Sequence, residues 1–263
     1  MHRQQLRRSL TDPPKEHDMT PFLRKTLVAA GIVLGLLGGA QAVPLADLLG
    51  GSSLTAGNLI FDGFSVTAFS ASDPARSFNP ANVDVSVLTD GGADPGQGLL
   101  FTVSNEELSV VGDDVFAFVD LALSFRASTT SAGWLIKGAT TTIALASVGS
   151  STGLNDGSND NGSYIHETYG GGAGLSDLGV NAVEFSYLNS VQTSLLTQSA
   201  AFAPVGQVWA SKNILVWATE ATDDASLTSF EQRFSPSPIP EPATVLLLAT
   251  GLAVLVMARR SRV

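Results

Sequence analysis

The chain has 263 residues, with 14 Lys and Arg against 24 Asp and Glu, which leaves a formal net charge of -10. Charged residues make up 14% of the sequence and hydrophobic residues 44%, and cysteine does not occur. This composition excludes disulfide frameworks, thiolate zinc sites and thiol nucleophiles. It also argues against nucleic-acid binding, which needs clustered Lys and Arg to contact phosphates.

The first predicted element is an apolar segment, Leu27–Leu37, with two basic residues before it and Ala40-Gln41-Ala42 after it. A secretory signal peptide has a basic region, then a short apolar core, and then a cleavage site with two small residues on either side of one intervening residue. We therefore predict a signal helix within residues 19–42. The Sec machinery and signal peptidase are its expected partners, and the small residues Ala40 and Ala42 mark the site, with cleavage after Ala42.

The middle of the chain, residues 43–234, alternates apolar and polar residues, as in Phe64–Ala68 and Val83–Val87. Short alternating segments between frequent Gly-containing turns are typical of half-buried antiparallel strands. The pattern predicts an all-β ectodomain, an antiparallel β-sandwich or a jelly roll. Leu45–Leu49 fits a helical turn, and Ser190–Ala203 fits a short helix.

A proline-rich segment, Ser235–Pro242, follows the predicted sheets and has proline at every second position. Proline at this spacing predicts an extended, solvated linker. The next segment, Ala243–Ala258, is apolar on all faces and ends at a basic stop formed by Arg259, Arg260 and Arg262. We expect a single transmembrane helix whose arginines stay in the cytoplasm, so that the middle of the chain faces outward.

The C-terminal residues carry a specific resemblance. Pro240, Glu241 and Pro242, the apolar helix and the arginine cluster together resemble the PEP-CTERM sorting domain, from Pro238 to Arg262. That family occurs in exported proteins of Gram-negative bacteria that make exopolysaccharide. The resemblance implies recognition by an exosortase, processing near the tripeptide, and transfer from the inner membrane to the cell surface or matrix. Leu45–Ile143 resembles a β-rich ectodomain of this family, whose activity is not established.

These segments predict five parts in chain order. Whether the C-terminal helix is removed or retained as a permanent anchor stays open. The parts are a polar extension at 1–18 upstream of Met19 as the expected start, the signal peptide at 19–42, the ectodomain at 43–234, the linker with its Pro-Glu-Pro motif at 235–242, and the transmembrane helix with its basic tail at 243–263.

One segment matches a catalytic motif. Gly149–Gly153 has the pattern G-x-S-x-G, with Ser151 in the position of the nucleophile. The motif requires a strand, a sharp turn and then a helix, but the residues that follow Gly153 are rich in Asn, Asp and Gly and do not favour a helix. His166 is the only histidine of the predicted mature chain. We therefore assign no catalytic residue and predict that the protein is not an enzyme, with a secreted hydrolase as the remaining alternative.

Acidic residues raise two further possibilities. Asn155–Ser163 carries several carboxylate and amide oxygens, which Ca²⁺ prefers, but it lacks the spacing of an EF-hand. We expect a solvated turn and assign no metal or cofactor, with bound Ca²⁺ as the alternative.

The pairs Glu106-Glu107, Asp113-Asp114 and Asp223-Asp224 place neighbouring carboxylates on opposite faces of a strand, which does not suit a catalytic pair. They are expected at the surface.

Three tryptophans, Trp134, Trp209 and Trp217, suit either core packing or stacking against sugar rings. Trp209 and Trp217 have the spacing to share one face of a hairpin.

The leading expectation is an exported, exosortase-sorted structural protein of the cell surface or matrix, associated with exopolysaccharide. The alternative is a carbohydrate-binding module held at the surface.

Overall fold

The computed structural model describes residues 42–151, 159–189 and 191–239, together with Thr250. Within these ranges the chain forms fourteen strands, one short α-helix and one 3-10 helix, and the paired strands are antiparallel in two sheets. The prediction of an all-β domain is confirmed. The expected signal helix, Ala40, the Pro-Glu-Pro tripeptide and the arginine-terminated helix lie outside the described residues. Among those that are described, no helix is long and apolar enough to cross a membrane.

The first sheet contains seven of the described strands, numbered here in chain order. These strands are β1 (Val43–Pro44), β4 (Val83–Leu88), β5 (Gln97–Val103), β6 (Ser109–Val111), β8 (Trp134–Ser150), β12 (Thr197–Val205) and β14 (Asp223–Pro238). They are arranged in the order β1-β4-β5-β14-β8-β12, and β6 pairs separately with β14. The final strand therefore lies inside this sheet, between β5 and β8.

The second sheet also contains seven of the described strands. They are β2 (Leu54–Ala56), β3 (Leu59–Ala71), β7 (Ala117–Thr129), β9 (Asp160–Gly170), β10 (Gly179–Leu188), β11 (Val191–Leu195) and β13 (Gln207–Ala218). Their order is β11-β10-β9-β13-β7-β3-β2. Strand β13 is central and pairs along its length with β9 on one side and β7 on the other.

Phenylalanine rings from both sheets form the centre of the sandwich core. Phe125 of β7 lies 6.0 Å from Phe101 of β5 and 6.3 Å from Phe234 of β14, measured between ring centroids. Phe101 also stacks on Phe230 at 4.6 Å. Burial of each such side chain stabilises the folded state by about 1.5–3 kcal/mol. These rings bring the inner faces of the two sheets into direct contact.

The two helical expectations have opposite outcomes. Leu45–Leu49 forms the helix α1, as expected, and buries Leu45 and Leu48. The 3-10 helix covers Pro80–Asn82. The expectation of a helix at Ser190–Ala203 is wrong, because β11 and β12 occupy this segment and pair with β10 and β8. Its Ser and Thr residues have weak helix propensity, and edge pairing satisfies their backbone groups.

The last strand extends further than the composition suggested. Ser235–Pro238 continues β14, pairs with Leu135 and Ile136 of β8, and buries Ser235. These four residues belong to the sheet, whereas a solvated linker was expected. Pairing with β5 ends at Phe234, so beyond it β14 has a neighbour on one side only. Proline, which lacks an N–H group, is tolerated in such an edge segment.

Candidate functional site

A groove crosses the outer face of the second sheet at the central strand. Along β13, even-numbered residues are buried in the sandwich, whereas odd-numbered residues are more exposed and point outward. Asn213 lies between His166 of β9 and Ala122 of β7, and Ser211 occupies the next outward position. The groove has a volume of about 440 Å³, and the side chains along it belong to Thr67, Ala122, Ser124, His166, Thr168, Ala173, Ser211 and Asn213.

Hydrogen bonds hold the polar groups of this groove in place. Asn213 donates from Nδ2 to Oδ1 of Asp120 at 2.6 Å. The backbone N–H of Gly174 donates to Oγ of Ser211 at 2.8 Å, which ties the loop after β9 to the groove. The floor therefore presents amide, hydroxyl and imidazole groups without a cluster of like charges. Such an arrangement suits recognition of a polar, uncharged ligand.

Two tryptophans lie on the same outer face, near opposite ends of β13. Trp209 and Trp217 both occupy outward positions and are partly exposed. Eight residues of strand separate them by about 26 Å. Trp209 covers Gly63 and lies beside the guanidinium group of Arg126, 5.8 Å from the ring centroid. The expectation that the two rings share a face is met, on one strand rather than on a hairpin.

Trp217 is held by two contacts. Its Nε1 donates to Oδ1 of Asp160 at 2.7 Å, and its ring lies over Gly162, where an added Cβ would be 2.8 Å from Cη2. Trp134 has a different position, at the start of β8 in the first sheet. Only Trp209 and Trp217 therefore belong to the face that carries the groove.

The inner face of the same strands carries a polar cluster inside the sandwich. Lys212 of β13 donates from Nζ to Oε2 of Glu167 on β9 at 2.5 Å, and both side chains are 0% exposed. Nζ also donates to Oε1 of Gln232 on β14 at 2.5 Å. The cluster is completed by Thr141 of β8 and Tyr169 of β9, which both hydrogen-bond to Glu167. It thus joins the two sheets.

Burial sets the protonation of this cluster. Removal from water lowers the pKa of Lys212, and the negative charge of Glu167 opposes this change. Burial also raises the pKa of Tyr169 well above its ordinary value, and the nearby Glu167 charge adds to the increase. The tyrosine hydroxyl therefore remains protonated over the physiological range.

The sequence motifs did not identify this cluster. The available signal is a polar residue at an inward position between buried apolar neighbours, as for Glu167 between Ile165 and Tyr169. Lys212 shows the same signal between Ala210 and Ile214. Such residues are rare in sheet interiors unless they are paired.

Ser151 and His166, the candidates for a nucleophile and its base, lie in different parts of the sandwich. Ser151 follows β8 in the first sheet, and its N–H donates to the carbonyl of Thr222. His166 lies on the outer face of the second sheet and lines the groove. The structure therefore does not bring these two residues together.

The acidic pairs brace loops and strand ends. Glu107 is buried and accepts hydrogen bonds from the N–H of Asn79 and from Nδ2 of Asn82, both at 2.7 Å. Asp223 is also buried and accepts from Nδ2 of Asn159 at 2.9 Å. The expectation that these pairs serve the surface is wrong for Glu107 and Asp223, because folding uses them as hydrogen-bond acceptors.

The loop considered for Ca²⁺ is described only from Asn159 onward, and Asp160–Ser163 belongs to β9. Asn161 is buried there and donates from Nδ2 to the carbonyl oxygen of Gly149 at 2.8 Å. Within the described ranges, no group of three or more His, Asp or Glu side chains is placed to hold a metal ion.

The C-terminal residues decide the family relationship. Residues 238–262 match the family model of the PEP-CTERM protein-sorting motif. The chain carries a PEP-CTERM sorting domain. This PEP-CTERM segment begins at Pro238, which is also the last residue of β14. The matched segment therefore begins at the last residue of the folded sheet.

Beyond the sorting motif, the chain shares low sequence identity with two solved structures. No curated protein matches the sequence. Among solved structures, TmCBM61 in complex with beta-1,4-galactotriose is similar at 13% identity over 67% of this chain and 89% of that one, with a TM-score of 0.21. Endoglucanase 3 of Trichoderma harzianum, from family GH12, is similar at 10% identity over 65% and 96%, with a TM-score of 0.20. At these TM-scores neither similarity supports an inference about fold or ligand.

Proposed function

We propose that this protein is a structural component of the cell surface or extracellular matrix, associated with exopolysaccharide and without catalytic activity. The PEP-CTERM sorting domain carries the proposal, because it implies an exported, surface-directed chain with an exosortase as its processing partner. Signal peptidase and the Sec machinery act first, and the apolar segment Ala243–Ala258 anchors the chain in the inner membrane until it is sorted. The acidic β-domain is the part that is delivered.

Two features of the β-domain support a non-catalytic role. Ser151 follows β8 of the first sheet and His166 lies on β9 of the second, so they are not placed as a nucleophile and its base. Glu107 and Asp223, the buried members of two acidic pairs, already accept hydrogen bonds from neighbouring loops. Hydrolytic activity of the purified protein that is lost in both Ser151→Ala and His166→Ala variants would contradict this part of the proposal.

Sorting is tested by replacing Pro240, Glu241 and Pro242 with alanine and following the protein by cell fractionation. The variant is expected to stay with the inner membrane, whereas the native chain reaches the surface or medium. A matched control replaces Asp73 and Pro74, an exposed acid and proline of the β-domain, and should be sorted normally. Equal delivery of the motif variant and the native chain would contradict exosortase processing.

A second candidate function is carbohydrate binding in the outer groove. The supporting observation is that Trp209 and Trp217 lie on the face that carries the groove, with Asn213, His166 and Asp120 between them. Aromatic rings contact the apolar faces of sugars, and amide and carboxylate groups bind their hydroxyls. The separation of about 26 Å suits an extended chain of several sugar units.

Binding is tested with purified polysaccharides in a calorimetric titration. Asn213→Ala and Trp217→Ala are expected to weaken binding at least about tenfold, which corresponds to about 1.4 kcal/mol. Trp134→Ala is the matched control, because this tryptophan lies in the other sheet. The absence of binding by the native protein, or an equal loss in the control, would eliminate this function and leave the structural role untouched.

A further inference from the structure

Three reactive side chains from both sheets meet inside the sandwich. Nζ of Lys212 lies 2.5 Å from Oε2 of Glu167 and 2.5 Å from Oε1 of Gln232. All three residues are removed from solvent, with Glu167 and Gln232 at 0% exposure and Lys212 at 2%. A primary amine, a carboxyl group and a carboxamide are therefore held in contact, away from bulk water.

Burial favours the uncharged form of the amine. It lowers the pKa of Lys212, whereas the charge of Glu167 and the ring of Phe230, whose centroid lies 5.8 Å from Nζ, act in the opposite direction. Proton transfer from the lysine to Glu167 leaves a neutral pair, which avoids much of the free-energy cost of burying two ions. A neutral, desolvated lysine is a nucleophile.

A continuous path for a proton joins this amine to the nitrogen of the carboxamide. The path begins with the 2.5 Å contact between Nζ of Lys212 and Oε2 of Glu167. Oη of Tyr169 lies 2.9 Å from the same carboxylate oxygen. Nε2 of Gln232 lies 3.2 Å from Oη of Tyr169. Nζ of Lys212 is thus linked to Nε2 of Gln232 by groups that can pass a proton from one nitrogen to the other.

The carbonyl oxygen of the carboxamide is also stabilised. Oγ1 of Thr141 lies 3.2 Å from Oε1 of Gln232, and its single proton, which is donated to the Glu167 carboxylate, becomes available to Oε1 once Glu167 is protonated. Negative charge develops on this oxygen when a nucleophile attacks the carbonyl carbon. A fixed hydroxyl donor in a buried site stabilises that charge more strongly than water does.

We propose that Lys212 and Gln232 form an intramolecular amide bond between the two sheets. Nζ of Lys212 attacks Cδ of Gln232, so that the Nζ–Cδ bond forms and the Cδ–Nε2 bond breaks. Glu167, protonated in the neutral pair, passes its proton through Tyr169 to Nε2, which leaves as ammonia, and takes up in its place the proton that Nζ loses. Amine and carboxamide become a secondary amide and ammonia, with no oxidant or other reactant.

The position of this bond fits a chain that is sorted through its C-terminus. β13 lies at the centre of the second sheet, and β14 runs directly into the sorting domain at Pro238. The bond joins the strand next to the sorting domain to the opposite sheet. The sequence contains no cysteine, so a disulfide is not available for this purpose.

Peptide mapping of the denatured full-length protein tests the proposal. Trypsin does not cleave after a lysine whose amine is part of an amide. The linked protein is therefore expected to release residues 138–233 as one peptide, lighter than its sequence mass by one ammonia. The unlinked protein would release residues 138–212 and 213–233 separately.

Variants test the roles of the surrounding groups. Lys212→Met and Gln232→Leu are expected to abolish the link. Glu167→Gln and Tyr169→Phe keep the side-chain shapes but interrupt the proton path, and should slow linkage about 100-fold. Near-UV circular dichroism shows whether each variant is folded. Ser163→Ala, a buried polar substitution on the same strand as Glu167, is the control and should be linked like the native protein.

The native protein alone can overturn the proposal. Complete cleavage after Lys212, with peptides of unchanged mass, would show that the cluster is only a noncovalent ion pair. A linked peptide lighter by water instead of ammonia would make Glu167, and not Gln232, the acceptor. Normal linkage in folded Glu167→Gln and Tyr169→Phe variants would contradict the proton path.

Discussion

Phe125 is the residue whose removal tests most directly that the two sheets pack as described. It is fully buried on β7, and its ring contacts Phe61 and Phe64 of its own sheet, at 6.2 and 5.2 Å. Across the core it contacts Phe101 and Phe234 at 6.0 and 6.3 Å. Phe125→Ala removes all four ring contacts and leaves a cavity between the sheets. Burial of this kind predicts a loss of about 3–5 kcal/mol in the free energy of unfolding.

Urea denaturation followed by tryptophan fluorescence measures this loss. Phe116→Ala is the matched control, because Phe116 is 41% exposed. We expect the control to change the free energy of unfolding by less than about 1 kcal/mol. A loss below about 1.5 kcal/mol for Phe125→Ala, or equal losses for both variants, would refute the described packing of the core.

Three further perturbations address the outer face and the loops. Gly162→Ala places a Cβ against Cβ of Ser186 and 2.8 Å from the ring of Trp217, and thermal unfolding should show a loss of about 1–3 kcal/mol. An unchanged melting temperature would contradict these contacts. Arg126→Ala breaks an ion pair whose side chains are 36% and 30% exposed, so we expect a loss of only about 0.2–1 kcal/mol that decreases in high salt. A loss of stability that does not change with salt would indicate that Arg126 stabilises the fold through another contact. The hydrogen bond from Arg233 lowers the pKa of Asp90 below its ordinary value of 3.8. This contribution to stability is present above pH 3.8 and is lost as the pH falls through the lower pKa of the folded state. The free energies of unfolding of the Asp90→Asn variant and of the native protein should therefore converge at low pH. A difference between them that stays constant with pH would contradict this linkage.

Local sequence patterns predicted much of the sheet structure. Val83–Val87 alternates apolar and polar residues and lies within β4, where Val83 and Val85 are buried. Leu45–Leu49 has the spacing of a helical turn and forms α1. Both predictions succeed because a side chain's inward or outward direction depends on the local period of the backbone.

The same patterns failed where the environment of a strand decides its structure. The Ser- and Thr-rich segment that forms β11 and β12 lacks strong alternation, and its residues are mostly exposed. Only pairing with β10 and β8 makes it extended. Ser235–Pro238 is another example, because one free edge of β14 tolerates its prolines.

By itself, the sequence determined the sorting domain, the all-β class and the sides of β13 to which Trp209 and Trp217 belong. The tertiary structure alone decided that Lys212 meets Glu167 and Gln232, which lie 45 and 20 residues away along the chain. Periodicity specifies whether a residue points inward. It does not specify which strand is opposite, because that choice depends on how the two complete sheets pack against each other.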